Sequence, residues 1–295
     1  MSELRRIAVL GGGLMGSGIV HVSIVGGYST VCREVGNAQC ERAHTAVKRS
    51  LSKAMEKGEL TAEARDAALN RVSFVTDLGS AASADLIVEA IVEDLAEKKA
   101  LWSAVDMLAP PATVFASNTS SLSIAAQAAA TRRGDRFIGL HFFSPVPVMQ
   151  LVEIVRTVTT SDSTHALAHE FVRRIGKIAI DTRDSSGFVV NRLLVPYLLD
   201  AIRAFEQGVG SVRDIDLGMT LGAGVPMGPL ALCDFVGLDT LHRVAESMYS
   251  EYRDSRFAPP PLLRRMIVSG YLGRKSGNGF YRYGGNEPEP NALMG

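Results

Sequence analysis

An apolar run at positions 7–10, IAVL, breaks into Gly11-Gly12-Gly13-Leu14-Met15-Gly16 and resumes as an apolar stretch of helical period. Glycines at this G-x-G-x-x-G spacing, between a strand and a helix, admit few architectures. Gly11 permits a tight turn, Gly13 lets bare backbone approach a ligand, and Gly16 lets the helix pack onto the strand. A diphosphate then rests on the positive end of that helix. Gly11, Gly13, Leu14, Met15 and Gly16 are therefore candidate contacts to a dinucleotide. The bland alternative, a glycine-rich turn with no ligand, has less in its favour given the strand before and the apolar helix after.

The second apolar run, 29–32, leads into Arg33-Glu34, about 20 residues past the glycines, where an acid is expected to take a ribose 2′-hydroxyl. Glu34 thus favours NAD. Arg33 beside it could accept a 2′-phosphate, but a carboxylate aimed at a phosphate dianion repels it, and NAD remains the expected cofactor.

From Arg6 to about Thr182 short apolar runs alternate with helical-period segments, the pattern of βαβ units feeding a parallel sheet. The strands are expected at 7–10, 29–32, 85–90, 113–117, 136–143, 151–155 and 178–181. Residues 37–70, rich in Ala, Glu, Lys and Arg with Gly58 inside, read as a helical hairpin inserted into the sheet. After 185–188, SSGF, strand signals nearly stop and apolar-periodic stretches such as 189–208 take over. The expectation is an α/β domain over 1–184, a doubly wound and mostly parallel sheet, followed by an all-α domain over 185–295. Two domains also suit 295 residues, since one core rarely grows beyond roughly 250. The tail, 284–295, has little to bury and is expected to be mobile.

Basic and acidic residues number 31 each, so no overall field recruits nucleic acid or an acidic membrane. Cys32, Cys40 and Cys233 form no CxxC pair, which suggests neither a disulfide framework nor a zinc site; no metal is expected. The N-terminal apolar run is too short for a signal peptide or spanning helix, and a cytoplasmic location is expected.

His141 and Glu153 lie on two strand-like runs separated by Ser144-Pro145-Val146-Pro147, and the midpoint between them is Pro147. An antiparallel hairpin about that midpoint would set them directly opposite, with Cβ atoms roughly 5 Å apart. A carboxylate on one imidazole nitrogen fixes the tautomer and leaves the other free to accept a proton, a base with its orienter. Taken alone, such a histidine is more often merely structural. Ser117-Asn118-Thr119-Ser120-Ser121 follows the strand at 113–117, where doubly wound sheets present ligand loops, although its hydroxyls could also cap a helix beginning near Leu122. Asn191 could donate to an oxyanion or be an ordinary amide; spacing does not decide.

The strings GGGLMGSGI, VEAIVED, ASNTSSLSI, HFFSPVPVMQLVEIV, GFVVNRLLVPYL, PMGPLALCDFVGLDT and LGRKSGNGFYRY together resemble the 3-hydroxyacyl-CoA dehydrogenase family, most nearly its short-chain 3-hydroxybutyryl-CoA members, over about residues 5 to 283. The resemblance implies a Rossmann-like first domain, a helical second domain that forms a homodimer, a catalytic cleft between them, and a place in fatty acid metabolism. It makes His141 the general base, Glu153 its partner, and Ser120 and Asn191 the residues that hold the substrate oxygen and the base in register. It sets Glu93 and Lys98 against the nicotinamide end of NAD, with Ala90, Ser120 and Ser144 as further cofactor contacts. For the coenzyme A phosphates of an acyl-CoA it points to the hairpin's basic face, Lys48, Arg49, Lys53 and Lys57, the last three at single-turn spacing; a solvated face is the plainer reading for any one of them.

Three positions depart from the commonest family pattern. Glu34 stands for aspartate, Ser144 for an asparagine after HFF, and Gln150 for a lysine before LVE. The last two border the expected substrate site. Alternatives to be weighed are a dehydrogenase of a hydroxy or sugar acid, one acting on a carrier-protein-bound hydroxyacyl group, and a non-enzymatic, crystallin-like member of the family.

Overall fold

A computed structural model describes residues 4–285 and 287–291. The chain divides into two compact units after Phe188.

The first unit is built on an eight-stranded sheet in the order β3-β2-β1-β4-β5-β6-β7-β8. Its strands are β1 (Arg6–Leu10), β2 (Ser29–Arg33), β3 (Val72–Val75), β4 (Leu86–Glu89), β5 (Val114–Ser117), β6 (Phe137–Phe142), β7 (Leu151–Arg156) and β8 (Ile178–Arg183). The first six are mutually parallel; β7 runs antiparallel to β6, and β8 follows β7. Central strands β4, β5 and β6 are buried along their whole length, as a sheet covered on both faces requires. The covering helices are α1 (Leu14–Val25), α2 (Asn37–Glu56), α3 (Ala62–Leu69), α4 (Leu78–Ala82), α5 (Leu95–Leu108), α6 (Ile124–Ala128) and α7 (Asp162–Arg174). One apolar cluster joins α1, α2 and α7 to one face around Ile7, Val47, Leu140 and Phe171, and another packs Trp102, Phe115 and Phe137 on the other.

The inserted hairpin is α2 and α3, and its 20-residue arm buries one stripe, Cys40, Ala43, Val47, Leu51 and Ala54, against α1. Strand β3 is a correction to the sequence reading. Its four residues sit at the sheet edge with no side chain fully buried, so they carry neither an apolar run nor a clean alternation. Thr119 accepts the Ser121 and Leu122 N–H groups, while Asp184 accepts those of Ile124 and Ala125, and Ser123 that of Ala126, at the entry to α6.

The second unit contains α8 (Val190–Glu206), α9 (Val212–Leu217), α10 (Pro229–Val236), α11 (Leu238–Tyr252) and α12 (Pro261–Val268) around Leu198, Leu199, Cys233, Leu241 and Phe280. The expectation of a mobile tail is overturned for residues 289–291. Glu289–Pro290 pairs with Tyr281–Arg282, and Asn291 is buried, its backbone N–H donating to Phe280 O and its side-chain amide to Gly279 O. Residues 292–295 lie outside the described residues. No helix among the described residues is long and apolar enough to cross a membrane.

Candidate active site

The glycine loop leaves β1 at the carboxyl edge of the sheet. Gly11 adopts φ +93°, and its N–H donates to Arg33 O; a Cβ there would stand 2.7 Å from Ala90 O. A Cβ on Gly16 would stand 1.7 Å from Gly11 O, so the helix can start where it does only with glycine. Gly13 differs: a Cβ there would meet nothing within 4 Å. The protein's own packing does not require a bare residue at that point, and the space there is open to a ligand approaching the backbone. Gly13 is also the N-cap of α1 with no side chain on the free backbone N–H groups, which suits an anion. Glu34 lies beside the loop, its Oε1 accepting the Gly12 N–H at 2.6 Å. Leu14 is exposed and Met15 half-buried at the rim. These residues fit a dinucleotide, with the Glu34 carboxylate already anchored next to the diphosphate cradle.

Antiparallel pairing of β6 and β7 sets His141 opposite Glu153, and His141 Nδ1 lies 2.6 Å from Glu153 Oε2. Both are buried, Glu153 completely. With Nδ1–H donating to the carboxylate, Nε2 is left as the acceptor. The Phe143 and Phe188 rings flank the imidazole at 4.5 and 5.5 Å between centroids and restrict its rotation. The turn between the strands is tied to the cofactor helix: a Cβ on Gly18 of α1 would fall 2.7 Å from Val146 Cβ. One α1 surface therefore locates both the glycine loop and the hairpin that carries His141.

The hydroxyl cluster after β5 resolves into separate tasks. Asn118 Oδ1 accepts the Phe142 N–H and splices β5 to the end of β6. Thr119 donates to Glu93 Oε1 at 2.5 Å, and the same oxygen accepts the Ser120 N–H at 3.0 Å and lies 3.4 Å from Ser120 Oγ. Ser120 is half-buried, with its hydroxyl only loosely held.

Lys98 is fully buried, with its ammonium 2.5 Å from Glu89 Oε1 and 3.3 Å from Glu93 Oε2. It therefore acts on its surroundings through Glu93, which half-buried Ser120 touches in turn. Glu89 is the residue that reading the sequence missed. It is completely buried at the end of β4, and its carboxylate also accepts Ser117 Oγ–H and the Ile91 N–H. The signal available was an acid closing an otherwise apolar strand, LIVE, nine residues before a lysine.

A groove of about 1020 Å³ runs between the N-terminal end of α1, helix α2 and residues 145–148. Arg49, Lys53 and Lys57 line it, and so does Arg42, which the sequence reading left out although it lies seven residues before Arg49 on the same helical face. Lys48 is not among the lining residues. Ser144 and Gln150 are exposed at either end of the β6–β7 turn. Asn191 is half-buried in the first turn of α8, in the second unit.

A doubly wound sheet that carries a bare glycine loop and a buried imidazole–carboxylate pair defines a dinucleotide-dependent oxidoreductase. Comparison with known proteins narrows the class. The model for the NAD-binding domain of 3-hydroxyacyl-CoA dehydrogenase matches residues 6–185, and that for its C-terminal domain matches 187–283. The chain is 45% identical to a 3-hydroxybutyryl-CoA dehydrogenase of Mycobacterium tuberculosis, over 95% of this chain and 99% of that one. It is 42% identical to the mitochondrial hydroxyacyl-coenzyme A dehydrogenase of Sus scrofa, over 95% and 91%. The solved (S)-3-hydroxybutyryl-CoA dehydrogenase of Ralstonia eutropha superposes with a TM-score of 0.92 at 40% identity, over 96% and 100%. The chain belongs to the 3-hydroxyacyl-CoA dehydrogenase family and is an NAD-dependent oxidoreductase.

Proposed function

We propose that this enzyme interconverts a short-chain 3-hydroxyacyl-CoA, such as 3-hydroxybutyryl-CoA, and its 3-ketoacyl-CoA, with His141 as general base. The observation that carries the mechanism is the buried His141–Glu153 pair, in which the carboxylate holds Nδ1 and so directs Nε2 to the role of proton acceptor. In the oxidative direction Nε2 takes the proton of the 3-hydroxyl, and Glu153 stabilises the imidazolium that results. NAD, when bound, supplies the hydride acceptor, and Glu34 with the glycine loop holds its ribose and diphosphate. Ser120 and Asn191 are assigned the polarising hydrogen bonds to the substrate oxygen, and Glu93, steadied by Lys98, positions Ser120. Ala90 and Ser144 complete the assigned cofactor contacts.

Arg42, Arg49, Lys53 and Lys57 outnumber Glu41 and Glu59 along the groove, and this net cationic surface supports a coenzyme A carrier over a free hydroxy acid, which needs no such extended surface. Lys53 and Lys57, with Arg49 and Arg42, are assigned to its phosphates. We further assign residues 1–184 to cofactor binding and residues 185–295 to a homodimer. Leu193, Leu221, Phe235 and Val268 are large exposed apolar side chains of the second unit available to such an interface.

The test is a spectrophotometric panel of 3-ketoacyl-CoA chain lengths with NADH and with NADPH, alongside acetoacetate and an acyl-carrier-protein thioester. Fastest turnover on acetoacetyl-CoA with NADH is expected. Faster turnover on the free acid or the carrier-protein thioester would overturn the assignment.

A further inference from the structure

Helix α7 carries His165 and His169 one turn apart, so both imidazoles stand on one side of it. Edge strand β8 brings Asp181 to the same place. His165 Nε2 lies 2.6 Å from Asp181 Oδ1, His169 Nε2 lies 2.8 Å from that same oxygen, and the two nitrogens are 3.2 Å apart. Among the described residues these three side chains form the cluster whose nitrogen and oxygen atoms converge on one point.

That triangle is close to one face of a metal coordination sphere. Ligand atoms about 2.0–2.1 Å from a tetrahedral zinc stand about 3.3 Å from one another. The nitrogen–nitrogen edge is already at this spacing, and the two carboxylate edges need to open by roughly 0.7 Å at most. All three side chains reach solvent, so an ion can enter and water can fill the remaining positions. Two imidazoles and one carboxylate suit Zn²⁺, Co²⁺ or Ni²⁺, whereas Ca²⁺ and Mg²⁺ prefer oxygen ligands throughout.

The cluster is separate from the oxidoreductase site. Glu153 pairs in register with Ile180 and Ile154 with Asp181, and successive side chains of a strand alternate faces. Asp181 therefore stands on the α7 side of the sheet and Glu153 on the other. A shallow depression beside His169, lined by Glu170, Arg173, Lys177 and Ala179, gives room on the outer side, and its two cations temper the affinity without blocking the three ligand atoms.

We propose that His165, His169 and Asp181 form a divalent transition-metal site of the zinc class that clamps α7 to the edge strand and stabilises the first unit without entering the reaction. In the metal-free protein Nε2–H groups donating to Asp181 Oδ1 hold the same atoms together, and the metal takes their place. Two of the three ligands are visible in the sequence as H-A-L-A-H at i, i+4 spacing; the third lies twelve residues beyond His169 across a turn.

The test uses the full chain, freed of metal by a chelator. Equilibrium dialysis should find one Co²⁺ held at this site, with the visible absorption of a low-coordinate ion, and Zn²⁺ should raise the unfolding temperature. In His165→Ala/His169→Ala, affinity should fall at least about 100-fold and the thermal shift should vanish. Asp181→Asn, which keeps the shape, should weaken binding in the same direction, and His242→Ala should change nothing. Reduction of a 3-ketoacyl-CoA should proceed equally with and without metal. Absence of a zinc-dependent thermal shift, or an undiminished equivalent of Co²⁺ in the double variant, would overturn the proposal.

Discussion

Lys98 and Glu89 form an ion pair with no solvent exposure on either side chain, at the point where β4 ends beside the glycine loop. A buried pair of this kind stabilises little by itself, but losing one partner strands a charge. Lys98→Met should cost about 3–5 kcal/mol in urea unfolding. Glu89→Gln/Lys98→Met, which leaves only the partly exposed Glu93 carboxylate at that spot, should regain at least half of the loss. Equal destabilisation of the single and double variants would show that packing, not charge, is what Lys98 contributes.

Glu153→Gln keeps an oxygen for the Nδ1–H of His141 but removes the charge that stabilises the imidazolium. We expect kcat to drop on the order of 10²-fold, with NADH affinity measured by fluorescence unchanged. His141→Ala should lose at least as much. Full activity in either variant would remove the pair from the mechanism.

Cofactor choice should rest on Glu34, which is fixed by the Gly12 N–H and lies next to Arg33. Glu34→Ala removes the repulsion toward a 2′-phosphate and leaves Arg33 to meet it. The ratio of kcat/KM for NADPH over NADH should rise about tenfold or more, a change of roughly 1.4 kcal/mol in relative transition-state binding. An unchanged ratio would assign the ribose to other residues.

The groove on α2 makes a distinction between carriers. Arg49→Glu/Lys53→Glu should raise KM for acetoacetyl-CoA about tenfold or more at low salt, and the effect should shrink as salt is added. The same variant should treat acetoacetyl-N-acetylcysteamine, which lacks the nucleotide, like the wild type. A parallel loss on both thioesters would place the damage in folding rather than in phosphate binding.

His21 should make the first unit sensitive to acid. Desolvation by burial, followed by the Lys177 ammonium, pushes its imidazole down to about 4, and Nδ1 lies 2.7 Å from Ser50 Oγ. The unfolded chain binds this proton near pH 6.5, the folded chain only near 4, so the contribution is complete above about pH 6.5 and is lost as pH falls toward 4. At most roughly 3 kcal/mol is involved. His21→Gln should reduce the fall in unfolding free energy between pH 7 and pH 4.5 by a substantial part of that amount; an identical fall would assign the acid sensitivity to other groups.

Several of these features are legible in the order of residues alone. The glycine loop declares itself because its spacing answers a local demand, a tight turn into a helix. The pairing of His141 with Glu153 is also local: one hairpin, a period of two, and a midpoint at Pro147 suffice. The helical hairpin at 37–70 follows from the stripe it must bury. All three show themselves as local patterns of spacing or period.

What required tertiary structure depends on contacts that are distant. Strand β3 and the Glu289–Pro290 strand are too short to show a pattern, and hydrogen bonds from a neighbouring strand define them. Glu89, Lys98, Ser117 and Glu93 come from different elements and become one polar network only where β4, β5 and α5 meet. Arg42 joins the groove, and Asp181 joins two histidines, because packing of helices on the sheet chose which exposed charges face each other. The sequence determined the fold class and the candidates for the chemistry, through local periodicity and turn geometry. Only the tertiary structure decided which buried charges compensate one another, because burial and charge pairing depend on neighbours far away along the chain.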